Sequence, residues 1–336
     1  MQGPHDLFAR FIFGHPERAA AELRAALPPQ VARQVDWSSL RPEPVSVVDE
    51  ELRETESDLV FSASRWSGRR VLFYFLIEHQ STVQRFMALR MLRYVTRLLY
   101  RWHEEHPDQD YLPRVFPLVV YHGREGPWTA PRRVEELFHP PDEDEDWDGW
   151  LRFVPRFEYL LDDLMGEREE VLRARPGPAL VRIALLALRF APTEELAQRL
   201  PGWRELFAEV WVVQDGAAAL RAVASYLIEV GNEAVRKATS GVLRSALGAK
   251  PAEEMMMTVG EKLREEGRQL GRVEGRVEGR AEGLAEAVLR ILSIRGVLVG
   301  EAIRKSIVGC TDVQTLEQWL HRAMTATRAS DVVAQG

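Results

Sequence analysis

The chain has 336 residues, of which 46% are hydrophobic and 28% charged, a composition ordinary for globular proteins and a length that suggests about two domains. No stretch reaches the roughly 18 uncharged apolar residues of a membrane span, because arginines interrupt each candidate, as in ALVRIALLALRF at 179–190. The N-terminal MQGPHDLFARF carries Asp6 and lacks the apolar run of a secretory signal. The single cysteine, Cys310, excludes an internal disulfide framework and a Cys-rich zinc site. The expectation is a cytoplasmic protein with no membrane partner.

The formal net charge is −7, which by itself argues against a general nucleic-acid binder. The charge is unevenly spread, however. Between Gln84 and Trp102 stand Arg85, Arg90, Arg93, Arg97 and Arg101 with no acid, whereas Asp142 to Asp148 holds six acids in seven residues. Local sign governs the attraction of a charged partner more than the total does.

In chain order, HDLFARFIFGHPERAAAELRAALPP at 5–29 reads as one or two amphipathic helices stopped by Pro28-Pro29. The segment 41–64 then turns extended, followed by a turn, RWSGRR, and an apolar run, VLFYFLIEHQ, at 71–80. A long arginine-rich helical pattern spans Thr82 to His103, and VFPLVVY at 115–121 is another short apolar run ended by His122-Gly123. Helix, strands, helix and strand within one region predict an α/β domain. From Arg152 to about Leu247 the periodicity is helical throughout, with no strand signal.

A short repeat follows, GRQL-GRVE-GRVE-GRAE-GLAE, with glycines at 267, 271, 275, 279 and 283. Its period of four approximates a helical turn, so the glycines, arginines and glutamates form separate stripes. Glycines in an isolated helix cost about 1 kcal/mol each relative to alanine, and Glu274, Glu278 and Glu282 repel at i,i+4. Two readings stand here: a flexible linker, or a helix that self-associates. The remaining residues read as two or three short helices, with Leu316 and Trp319-Leu320 on an apolar face.

The chemistry concentrates around Asp58, in SDLV, and Glu78-His79-Gln80 at the end of the next strand. Alternation in a strand puts Glu78 and Gln80 on one face and His79 on the other. The only turn chemistry between the acids is Ser67-Gly68, which centres an antiparallel hairpin near residue 68 and sets Asp58 nearly opposite Glu78. Two carboxylates about 5 Å apart repel unless a cation lies between them, and oxygen ligands with open water positions suit Mg²⁺ or Mn²⁺. Such an ion polarises a phosphoryl oxygen and activates water, which the Gln80 amide could orient. The alternative is a turn-side surface acid and a paired sheet-edge residue. Arg90, Arg93, Arg97 and Arg101 recur at i, i+3, i+7 and i+11, along one helix face able to grip successive phosphates. A solvated face, or one paired with the acidic 142–148 loop, is equally open. His103 and His106 near the helix end suit the dipole. His122 is read as a turn residue or as part of the strand-end crevice.

Taken in order, HDLFARFIF at 5–13, SDLVF at 57–61, FLIEHQS at 75–81, ALRMLRYV at 88–95 and LPRVFPLVVYHG at 112–123 resemble the Rpn, or YhgA-like, transposase-type family. That family is similar to the PD-(D/E)XK nuclease superfamily, so the resemblance implies a restriction-endonuclease-like mixed sheet flanked by helices. It implies metal-dependent DNA endonuclease activity linked to recombination and mobile elements, with Asp58 and Glu78 as metal-binding acids and Gln80 in place of the superfamily lysine. Asp6 on the first helix is the matching candidate for a further metal-binding acid. The expected organisation is a nuclease domain at 1–165, a helical region at 166–260, the repeat helix or linker at 261–286 and a small helical module at 287–336. The second half is expected to be all-helical. DNA is the expected partner, with a homo-oligomer through 261–286 also possible from the repeat. The alternative function is a non-catalytic DNA-binding, oligomerising scaffold. A strand-transferring transposase ranks lower, because no third, well-separated carboxylate stands out.

Overall fold

The computed structural model describes residues 3–43, 59–68, 70–78, 83–124, 126–139, 149 and 151–333. It divides into two compact units, Met1–Val259 and Gly260–Gly336.

The first unit opens with two helices, α1 (Pro4–Phe13) and α2 (Pro16–Ala26), each started by a proline in its first turn, where the missing N–H costs nothing. A single turn, α3 (Pro29–Ala32), leads into a five-stranded sheet of β1 (Val35–Glu43), β2 (Leu59–Arg65), β3 (Arg70–Glu78), β4 (Arg114–Tyr121) and β5 (Leu160–Asp163). The strands lie in the order β1-β2-β3-β4-β5. The first three form an antiparallel meander, and β4 and β5 run parallel to β3. Helix α4 (Met87–Glu105) makes the crossover that a parallel β3–β4 pair requires.

Two features depart from the sequence reading. β1 begins at Val35, ahead of the extended segment expected from residue 41, and its register slips between Asp36 and Arg41. There Asp36 Oδ1 accepts from the Ser38 N–H at 3.1 Å, a local turn that breaks strand alternation. β5 lies inside the segment read as uniformly helical. Only four residues long and parallel to β4, it is too short to show a period.

β4 contains Pro117 although it has a strand on each side. β5 pairs only from Leu118 onward, so beside Pro117 the ladder is needed only toward β3.

The sheet is covered on both faces. On one, Met87, Met91, Tyr94 and Leu98 of α4 pack on Val60, Val119 and Tyr159. On the other lie α1 and α2, whose Phe8, Ile12, Phe13 and Leu23 are buried, each worth roughly 1.5–3 kcal/mol. Behind them sits α6 (Ala179–Phe190), which follows the short α5 (Glu169–Arg173) and buries ten of its twelve residues. Only Arg182 and Arg189, seven positions apart on one face, are not buried, and a helix otherwise apolar belongs in a core. The unit is completed by α7 (Leu196–Arg199), α8 (Arg204–Trp211), α9 (Gly216–Val230) and α10 (Glu233–Leu247).

The glycine repeat is helical, forming part of the 46-residue α11 (Ala249–Ile294). In the second unit, Ala281, Ala285, Val288 and Leu292 of α11 pack with Ile307 of α12 (Glu301–Val308), Leu316 of α13 (Val313–Ala323) and Val332 of α14 (Ser330–Val333). Gly296, at φ +71°, ends α11, with Val297 N–H bonding back to the Leu292 carbonyl at 2.9 Å. Among the described residues no helix is long and apolar enough to cross a membrane.

Candidate active site

β3 ends at Glu78, and the parallel register aligns Glu78 with Tyr121, and Tyr121 with Asp163. These residues therefore cross the sheet at the carboxyl ends of its parallel strands, where open α/β sheets commonly place ligands. Asp58 and Gln80 lie outside the described residues, and Glu78 is placed by its backbone alone. The hairpin itself is present. Its described pairs run from Leu59↔Phe75 to Ser64↔Arg70, which centres it at residue 67, one residue before the expected centre. Direct opposition of Asp58 and Glu78 would need the later centre.

α1 approaches the same sheet edge. The His5 ring lies 5.4 Å from that of His122, which follows Tyr121 directly and is fully buried. His5 Nδ1 shares a 2.8 Å hydrogen bond with the Tyr226 hydroxyl of α9, and Tyr226 stacks on Phe8 at 4.0 Å. Burial, with the charge of Glu229, pushes the Tyr226 phenol well up, so that hydroxyl keeps its proton. Asp6 follows His5 in the first turn of α1 and is half-buried. Among the described residues no group of three or more His, Cys, Asp or Glu side chains is arranged to hold a metal ion.

The arginine helix forms as expected, with the four residues differently engaged. Arg93 is exposed, while Arg90, Arg97 and Arg101 are half-buried at the margin of the outer face. Arg90 Nε donates to the Tyr94 hydroxyl at 2.9 Å and its guanidinium lies over that ring. Arg101 pairs with Glu105 at 2.7 Å. The acidic 142–148 segment lies outside the described residues. His106 caps α4, its ring stacked on Trp102 at 3.8 Å.

One ionisable cluster has no counterpart in the sequence reading. Arg175 grips Asp162 of β5 with two 2.6 Å hydrogen bonds and reaches Glu22 of α2 at 3.2 and 3.3 Å. Burial, followed by the charge of Asp162, pushes Glu22 well up. Burial also opposes ionisation of Asp162, but hydrogen bonds from Arg175 and Glu22 outweigh it and hold Asp162 below its usual range. The acid pair thus shares one proton, kept on Glu22. Residues 22, 162 and 175 share no local pattern; only the fold brings them together.

Comparison with known proteins adds to this geometry. Residues 3–217 match the model of the family described as "Putative transposase, YhgA-like". The chain is 30% identical over 275 residues to the recombination-promoting nuclease RpnA of Escherichia coli strain K12, covering 79% of this chain and 84% of the relative. It is also 30% identical over 275 residues to the inactive recombination-promoting nuclease-like protein RpnE of the same strain, covering 79% and 82%. The recombination-promoting nuclease RpnD of Escherichia coli O157:H7 is 36% identical over 125 residues, covering 37% and 47%. No solved structure gives a significant match. With a matching model that spans most of the first unit, and with the strand, turn and helix order of its sequence motifs present in the fold, the chain belongs to the YhgA-like family that includes the Rpn proteins.

Proposed function

We propose that this chain is a metal-dependent endonuclease that hydrolyses DNA phosphodiester bonds in recombination or in the movement of mobile elements. The supporting observation is the mixed sheet that ends β3 at Glu78 beside the β4 terminus, where His5 of α1 meets His122 just beyond that terminus. Several relatives named recombination-promoting nucleases point the same way.

Asp58, Glu78 and Asp6 would hold the ion, and an all-oxygen donor set of this kind fits Mg²⁺ or Mn²⁺. When bound, such an ion supplies charge for a phosphoryl oxygen and lowers the pKa of water. In this reading Gln80 orients the attacking water through its amide. Arg90, Arg93, Arg97 and Arg101 neutralise backbone phosphates, which makes affinity fall with salt. Residues 261–286 join copies of the chain. There the repeat is helical, and a Cβ placed on Gly267, Gly275, Gly279 or Gly283 would meet nothing within 4 Å.

The test is nicking of supercoiled plasmid with Mg²⁺, Mn²⁺ or EDTA, beside Asp58→Ala and Glu78→Ala. Metal-dependent nicking lost in both variants is the expected result. DNA binding without nicking, or nicking unchanged in both variants, refutes this site. It would favour the second reading, a DNA-binding scaffold, for which the equal identity to a relative named inactive is the motive.

A further inference from the structure

Helix α4 presents more than arginines. Leu89, Arg93, Thr96, Tyr100 and His103 recur at i, i+4, i+7, i+11 and i+14, and all are exposed. At the C-terminal end this stripe runs into a groove of about 520 Å³ whose lining includes Tyr100, His103, Gln109, Asp110, Tyr111 and Leu112. Tyr100 is 68% exposed, Tyr111 51% and Leu112 53%. Large rings and an aliphatic side chain gathered in one open groove mark a binding surface more often than a packing accident.

The lining chooses among occupants. A phosphate would meet the Asp110 carboxylate, so the groove is a poor anion site. A planar base suits it: the tyrosine rings offer stacking faces, and the Gln109 amide and Asp110 carboxylate offer partners for base edges. The arginines on the same helix complement the backbone that such a base would bring. From Arg90 to Arg101 they span about 16 Å of helix rise, the reach of a few nucleotides. A continuous duplex keeps its bases stacked inside, whereas a single strand or a gap can turn one outward.

We infer that the Tyr100–Tyr111 groove is a base-stacking subsite for unpaired nucleotides, so the preferred DNA is single-stranded or contains an unpaired stretch. This inference rests on the DNA reading above and deepens it. α4 runs back across the sheet, so its C-terminal end leads into Arg114 at the start of β4, whereas Glu78 lies at the far end of the paired β3. Eight strand residues separate those edges by roughly 25 Å. The base held in the groove therefore lies several nucleotides from the bond that is cut.

The test is fluorescence anisotropy in EDTA, where no cleavage can occur, with one labelled oligonucleotide offered as single strand and as duplex. The wild type should bind the single strand more tightly. Tyr100→Ala and Tyr111→Ala should each weaken single-strand binding about tenfold while duplex binding changes less than about twofold. Tyr100→Phe, which keeps the ring, should bind as the wild type does. Equal affinity for both forms, or alanine variants that bind the single strand unchanged, overturns the subsite and leaves the DNA reading standing. If the wild type binds neither form, the DNA reading fails and the subsite with it; if Arg93→Glu with Arg97→Glu leaves binding unchanged, DNA does not lie along α4 and the subsite fails while DNA binding stands.

Discussion

Asp162→Asn should damage the first unit far more than Glu22→Gln, although both replace a buried acid in one cluster. The side chains of Glu22, Asp162 and Arg175 are 0%, 8% and 13% exposed, so solvent cannot answer a charge left over. Asparagine removes the anion that answers Arg175 and turns one of two 2.6 Å acceptors into a donor facing a donor. Breaking a buried pair in this way costs about 3–5 kcal/mol. For a unit of this size that corresponds to a fall in Tm of roughly 6–20 °C. Glutamine at position 22 keeps a donor toward Asp162 and removes a group that is already protonated, so it should cost less than about 1 kcal/mol.

The pH dependence carries the same logic. Asp162, held low, contributes stability above the ordinary aspartate value of about 3.9, lost as pH falls through its folded value. Glu22, held high, contributes stability below the ordinary glutamate value of about 4.3, lost as pH rises through its folded value. Glu22→Gln should therefore flatten the alkaline side of the profile and leave the acid side intact. Urea unfolding followed by tryptophan fluorescence across acid and alkaline pH reads both effects. A Glu22→Gln variant as damaged as Asp162→Asn, or a profile with its alkaline slope unchanged, would refute the shared-proton account.

Three further changes test other parts of the chain. Gly177 has φ +129°, and a Cβ there would lie 2.7 Å from the Ala21 Cβ, so Gly177→Ala should destabilise by about 1–3 kcal/mol, with Ala21→Gly recovering part of the loss in thermal melts. Asn232 caps α10 by accepting from the Ala234 and Val235 N–H groups at 3.0 and 3.1 Å, and Asn232→Ala should cost about 1 kcal/mol in urea unfolding. Alanine at Gly267, Gly275, Gly279 and Gly283 meets no steric obstacle and should gain about 1 kcal/mol of helix propensity per site, seen as helicity retained on heating by circular dichroism. If copies join through that glycine stripe, the same variant should sediment as a smaller species; unchanged association would remove residues 261–286 from the contact.

What the sequence made legible depended on period and on turn chemistry. Ser67-Gly68 announced the hairpin, and Gly68 adopts φ +81° there. The arginine helix was legible because nineteen helical residues sustain a period. β5 was not, because four residues of LLDD within a helical stretch carry too few alternations. The start of β1 was hidden by the polar Asp36, Ser38 and Ser39 and by a register slip that breaks alternation. For the site, sequence placed Glu78 at a strand end, and the fold adds which strand termini surround it. The contact of His5 with His122 and Tyr226 joins residues up to 221 positions apart, beyond the reach of any local pattern.

The adjacent acids of β5 bear on which phosphoryl chemistry suits this sheet. Strand transfer of the three-carboxylate kind needs a further acid beside the proposed Asp58 and Glu78, and Asp162 and Asp163 stand on a strand that reaches the edge where β3 ends. Alternation sends them to opposite faces, and each is already answered. Asp162 turns toward α2 and is neutralised by Arg175. Asp163 accepts from the backbone N–H groups of Trp128 at 2.8 Å, Met165 at 3.0 Å and Gly166 at 3.2 Å, which fixes the turn after β5 and ties it to the loop after β4. Taking either acid for a metal would break bonds that hold the sheet together. Asp163→Asn should therefore lower thermal stability while leaving metal-dependent nicking by the folded protein intact, whereas Glu78→Gln, at an acid proposed to hold the ion, should abolish nicking. Nicking lost in Asp163→Asn and retained in Glu78→Gln would move the proposed catalytic acid from β3 to β5.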